Sequence, residues 1–168
     1  MPIDFFISAC KQTLTNKLFG LCDDPPPANT SAYTCVTNSR KWIAKVINNK
    51  EFEVTFIAID KCLNIKKPNG HIDSSCDVMM VYSDKIVFVE LKECDDNKNV
   101  WIKKAESQLR NTIEHFKKNH SLNDYSNKKA YIANNKHPNF RSTQMTRMEK
   151  FKDDMGVQLR IENRISLD

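Results

Sequence analysis

Three charged residues offer the clearest chemistry in this sequence: Asp77, Glu90 and Lys92. Two carboxylates can hold a hard cation such as Mg²⁺, or Mn²⁺ in its place, because such ions prefer oxygen ligands and keep several waters. A cation held there polarises a phosphoryl oxygen and acidifies a bound water. A neighbouring ammonium can orient that water and neutralise charge developing on the phosphate. A lysine shifts its pKa readily when partly buried, so it can also help to take the proton.

The three residues must be brought together by the elements that carry them. Asp77 opens an apolar run, Val78-Met79-Met80-Val81-Tyr82. Two turn residues, Ser83-Asp84, lead into a second run from Lys85 to Val89 that continues into Glu90-Leu91-Lys92. Two apolar runs separated by two turn residues predict a β-hairpin. The start of the first strand then lies beside the end of the second, which places Asp77 near Glu90. Glu90 and Lys92 are two apart on an extended segment and share a face.

The rest of the chain is read from its periodicity. Residues 3–19 predict a helix, with Ile3, Phe6, Ile7, Leu14, Leu18 and Phe19 inward, stopped by Gly20 and Asp23-Asp24-Pro25. Residues 22–37 read as a loop. Ser39 is the expected cap of a short helix over 40–47 with Trp42, Ile43 and Val46 inward. Phe52, Val54, Phe56 and Ala58 alternate as a strand. Residues 64–75 form a polar loop around Pro68-Asn69-Gly70. A long helix is expected over 100–118, with Ile102, Ala105, Leu109, Ile113 and Phe116 on one face. Ala130 to Ala133 is a short buried strand. Ser142 is read as the cap of a last helix carrying Met145, Met148 and Phe151; Gly156 ends it before a strand with Val157, Leu159 and Ile161. The order predicts one α/β domain over residues 1–168, with a central mixed β-sheet and helices on both faces.

Cys76-Asp77 at a strand start, followed by a strand running into Glu90-Leu91-Lys92, resembles the PD-(D/E)xK nuclease superfamily with its restriction-endonuclease-like fold. The family core is a helix, a three-stranded meander, a crossover helix and a further strand, and residues 39–134 follow that order. On this division residues 1–38 are an N-terminal helical and loop extension, and residues 135–168 a C-terminal helix and strand. The resemblance implies metal ligation by Asp77 and Glu90 and a catalytic role for Lys92. It implies a supporting role for Gln108, which resembles a Gln that many members carry on the crossover helix. Cys76 stands where the family has Pro. The Glu found on the first core helix of many members has no counterpart between Arg40 and Ile47. The expected activity is metal-dependent phosphodiester hydrolysis, with DNA as substrate and a homodimer or partner protein as a further aid to targeting. The alternative is a non-catalytic protein- or nucleic-acid-binding module on a degenerate nuclease fold.

Composition is compatible with this reading. The 168 residues include 28% charged and 40% hydrophobic residues, a globular balance. The net charge of +5 permits a polyanionic partner without requiring one. Lys103, Lys104, Arg110, Lys117 and Lys118 make the long helix basic, followed by Lys128, Lys129, Lys136 and Arg141. These could track phosphates, or form a solvated face paired with Glu106 and Glu114. Trp101 could stack a base or simply pack. No signal peptide is apparent, and the six cysteines are read as free thiols of a reducing, cytoplasmic compartment. No apolar stretch is long enough to span a bilayer. Cys62, His71, Cys76 and Cys94 are candidate zinc ligands but lack the usual paired spacing. With only three glycines, at 20, 70 and 156, a glycine-rich phosphate loop is excluded.

Overall fold

A computed structural model describes residues 2–96, 99–137 and 144–168. The expected cap Ser142 and the basic Arg141 lie outside the described residues.

The described chain folds as an α/β structure with two mixed sheets. The larger sheet has six strands: β1 (Lys11–Leu14), β5 (Val54–Ala58), β6 (Val78–Tyr82), β7 (Lys85–Lys92), β8 (Asn127–Asn134) and β9 (Gln158–Ile161). They lie side by side in that order. From β1 to β7 neighbours are antiparallel; β8 and β9 continue in parallel. The helix α1 (Val100–Asn119) makes the crossover from β7 to β8, and α2 (Met145–Met155) the crossover from β8 to β9. The smaller sheet is made of β10 (Arg164–Ser166), β4 (Ala44–Ile47), β2 (Leu18–Cys22) and β3 (Tyr33–Cys35), again in spatial order.

Burial shows how the layers stack. Residues of β6 and β7 alternate between two cores, as a strand covered on both faces must. Met79, Ile86 and Phe88 join Ile102, Leu109, Ile113 and Phe116 of α1 and Phe151 and Met155 of α2 in one core. Met80, Val87 and Val89 join Phe19, Leu21, Val46 and Ile165 of the smaller sheet in the other. Both helices therefore cover one face, and a second sheet covers the opposite face. The expectation of helices on both faces is corrected: strands β2, β4 and β10 fill that layer.

Two further expectations fail with it. Residues 3–19 form no α-helix, only a 3₁₀ turn at Ser8–Cys10 followed by β1 and the start of β2. Residues 39–47 form a 3₁₀ turn at Ser39–Lys41, capped by Asn38 rather than Ser39, and then β4. In both cases pairing with distant strands, β5 for β1 and β2 and β10 for β4, decides the conformation. Residues 2–38 thus supply strands to both sheets, β1 to the larger and β2 and β3 to the smaller. The C-terminal segment adds two strands, β9 and β10, where one was expected.

The six-thiol reading is also corrected. The β1–β5 pairing brings Cys10, which precedes β1, to Cys62, which follows β5, and the two form a disulfide. Cys22, Cys35, Cys76 and Cys94 are free thiols.

Gly20 on β2 marks the tightest approach in the smaller sheet. The Trp42 indole lies directly over its Cα, and a methyl group there would overlap the ring carbons nearest the Trp42 backbone. Gly20→Ala is expected to destabilise the fold by about 1–3 kcal/mol through overpacking. Chemical denaturation would measure it; an unchanged midpoint would show that Trp42 moves aside freely.

Candidate active site

The site begins with the hairpin register. Val78 faces Val89 across the β6–β7 ladder, so Asp77, one residue earlier, lies across from Glu90, one residue later. Asp77 and Glu90 follow the parity of Met79 and Phe88, which places both on the face covered by α1. The backbone N–H of Leu91 donates to Asp77 Oδ2 at 2.7 Å, tying the two strand ends together.

Lys92 completes the group. Its Nζ lies 2.8 Å from Glu90 Oε1 and donates to Gln108 Oε1 at 3.0 Å. Gln108 Nε2 in turn donates to the Ser75 carbonyl at 3.1 Å. One helical turn on, Thr112 Oγ1 accepts the Cys76 N–H at 2.8 Å. Two positions of α1 therefore fix the segment that delivers Asp77. All four residues singled out in the sequence, Asp77, Glu90, Lys92 and Gln108, are brought together.

The burial is deep for such charge. Glu90 is 2% exposed and Asp77 7%. The Lys92 side chain is 17% exposed. A solvated strand-edge ion pair would face water; this one does not. Burial pushes the Asp77 carboxyl up to about 7, against the opposing pull of the Leu91 N–H and with the Asp23 charge adding to the rise. Burial, and then the Asp77 charge, hold the Glu90 carboxyl well above the usual carboxylate range, and Lys92 opposes them. Two acids and one base share the space, so one negative charge is uncompensated when both acids ionise.

Glu90 Oε2 is buried and has no hydrogen-bond donor. When one carboxyl keeps its proton, that proton can bridge Glu90 and Asp77. When both are ionised, a divalent cation is the natural replacement for the proton. The donor set fits it: hard carboxylate oxygens, with water to fill the remaining positions. Among the described residues no group of three or more Asp, Glu, His or Cys side chains is arranged to hold a metal, so the fit rests on these two. Four surface clefts elsewhere on the molecule are lined by other residues. Lys92 and Gln108, both half-buried, are the more exposed members of the group.

Sequence reading missed three charged neighbours. Asp23, in the loop after β2, is half-buried and raised above the usual range, first by burial and also by Asp60 and Asp24, with Lys61 and Lys92 opposing. Asp60 and Lys61 follow β5, which pairs with β6 beside Asp77. Asp23 served in the sequence only as a helix stop. Its place at the site follows from the smaller sheet packing on the larger one, for which the sequence carries no local signal.

The other candidates separate. Cys62 is bonded to Cys10 and Cys76 is wholly buried, so the proposed zinc set is broken up. On α1, Arg110 pairs with Glu106 and Asp154, and Lys117 with Glu114, as a solvated helix face would. Trp101 is a packing residue, 7% exposed, with its Nε1 donating to the Asp96 carbonyl. No helix among the described residues is long and apolar enough to cross a membrane. The chain matches no protein-family model, no curated protein and no solved structure.

Proposed function

We propose that this protein is a metal-dependent nuclease of the PD-(D/E)xK type that hydrolyses phosphodiester bonds in DNA. The observation that carries the reading is the buried pair Asp77 and Glu90, with a donor-less Glu90 Oε2, locked to Lys92. Asp77 and Glu90 would hold Mg²⁺ or Mn²⁺. A cation bound there would polarise the scissile phosphate and acidify an attacking water. Gln108 and Glu90 hold the Lys92 ammonium, the most exposed of the three charged groups, where it could orient the water and meet charge building on the phosphate. The antiparallel order β5-β6-β7, then α1 and the parallel strand β8, is compatible with the core of that family. The segment expected to be the first core helix is β4, so the family's helix-borne acid has no place here; Asp23 and Asp60 are further acids that act on Asp77.

A second reading, a non-catalytic module on the same fold, is favoured by one observation: among the described residues no third candidate metal ligand joins Asp77 and Glu90. Cleavage of labelled linear, circular and single-stranded DNA, and of RNA, distinguishes them. The expected result is cutting with Mg²⁺ or Mn²⁺, abolished by EDTA, lost in Glu90→Ala, and reduced by about 10²-fold or more in Lys92→Ala. Equal cutting by wild type and variants, or none by any of them, discards the catalytic reading.

A further inference from the structure

Between β5 and β6 the chain leaves the sheet as a short arm. The Lys67 N–H donates to the His71 carbonyl at 2.8 Å, and Lys66 and Ile72 pair across an antiparallel bridge. The Gly70 N–H donates to the Lys67 carbonyl at 2.9 Å, closing a turn that needs the positive φ of 85° at Gly70. Every residue from Lys66 to Ile72 is exposed. The arm therefore has a fixed backbone and nothing covering it.

Its base is firmly held. Ile65 enters the helix-side core. On the returning leg, Asp73 lies 2.9 Å from His115 Nε2, and Ser74 accepts from Asn111 Nδ2 at 2.7 Å. With Gln108 on Ser75 and Thr112 on Cys76, successive turns of α1 grip this leg up to Asp77. The arm and the candidate active site are two ends of one clamped segment. From Gln108 to His115 the helix advances only about 10 Å.

The arm's surface is basic with one apolar side chain. Between the arm, the N-terminal segment and α1 runs a cleft of about 890 Å³, lined among others by Lys66, Lys67, Lys118, His115 and Asp4. The three lysines form no ion pair among the described residues, and Asp4 is the lone acid in that lining. Ile72, across the bridge from Lys66, is 60% exposed. Lysines placed around a cleft can neutralise successive phosphates, and an exposed apolar side chain between them can rest against base edges in a groove.

We infer that the 66–72 arm and the Lys118 side of α1 form a docking surface for the phosphate backbone of duplex DNA, with Ile72 entering a groove. The inference rests on the nuclease reading for its purpose, but its test does not. The arm supplies affinity and orientation; the carboxylates supply chemistry.

The test measures equilibrium binding of a labelled DNA duplex in EDTA, where no cleavage occurs, over a range of salt. The proteins are wild type, Lys66→Glu/Lys67→Glu, Lys118→Glu, Ile72→Ser and, as a control, Lys45→Glu, an exposed lysine on β4 of the smaller sheet. Thermal melts verify folding. The double reversal is expected to weaken binding at least about 10-fold and to flatten the slope of log K against log salt by roughly 2. Lys118→Glu should flatten it by roughly 1, Ile72→Ser should weaken binding with the slope unchanged, and Lys45→Glu should change neither. Unaltered binding in the lysine variants, or an equal loss in Lys45→Glu, overturns the inference. So does dependence on these lysines for RNA but not DNA. Metal-dependent cutting with wild-type-like binding in the arm variants would sink the arm alone. Lysine-dependent binding without any cutting would sink the nuclease reading alone.

Discussion

Glu90→Gln is expected to raise the thermal midpoint in chelator by roughly 4–8 °C and to lower Mg²⁺-dependent phosphodiester cleavage about 10²–10³-fold. The two effects share one cause. The site buries two acids against one ammonium, and the second acid is uncompensated. Glutamine keeps an oxygen for Lys92 and gains an amide that can donate to Asp77. The unpaired buried acceptor Oε2 is replaced by a donor, which removes a desolvation penalty of about 1–3 kcal/mol. The same change deletes one of the two proposed cation ligands. Differential scanning fluorimetry in EDTA and a cleavage assay on one preparation read both effects. A destabilised variant would show that the Glu90–Lys92 ion pair is structural, and the site would lose its claim to function.

In chelator, stability is expected to fall as pH rises from about 4 to about 7, by roughly 4 kcal/mol at most from Asp77 alone. The sign follows from proton counting. The unfolded chain loses the Asp77 proton near the ordinary value of 3.8, whereas the folded chain keeps it to about 7. Between those values the folded state holds more protons, so raising the pH favours unfolding. Glu90, also held up by burial and by Asp77, extends the decline upward. Because the two titrate as a pair, the slope belongs to both. Asp77→Asn retains an acceptor for the Leu91 N–H and should flatten the curve. Mg²⁺ or Mn²⁺ should stabilise the wild type more at pH 8 than at pH 5, where protons compete for the same oxygens. Denaturation curves at several pH values, with and without metal, measure this. A metal-free stability that is flat from pH 4 to 8, or that falls equally in Asp77→Asn, contradicts the buried-pair description.

The sequence determined what neighbours in the chain could settle. The hairpin of β6 and β7 is legible to the residue because two apolar runs flank Ser83-Asp84. The helix α1 is legible because Ile102, Ala105, Leu109, Ile113 and Phe116 recur at helical spacing. The hairpin's local spacing brings Asp77, Glu90 and Lys92 together, whereas Gln108 is singled out by the family resemblance alone. Tertiary structure decided the rest. Residues 11–14 and 44–47 are short runs whose strand state depends on partners far along the chain, and periodicity over four residues cannot tell strand from helix. The layer opposite the helices is assembled from β2, β3, β4 and β10, contributed by both ends of the described chain. The β1–β5 ladder joins Cys10 to Cys62, and the packing of the two sheets carries Asp23 into the field of Asp77. Tertiary packing also seals Glu90 from water, which turns an ordinary Glu–Lys spacing into a buried carboxyl held well above the usual carboxylate range. Spacing along the chain names the groups; only the packing of distant segments sets the dielectric around them, and the dielectric determines what their charges can do.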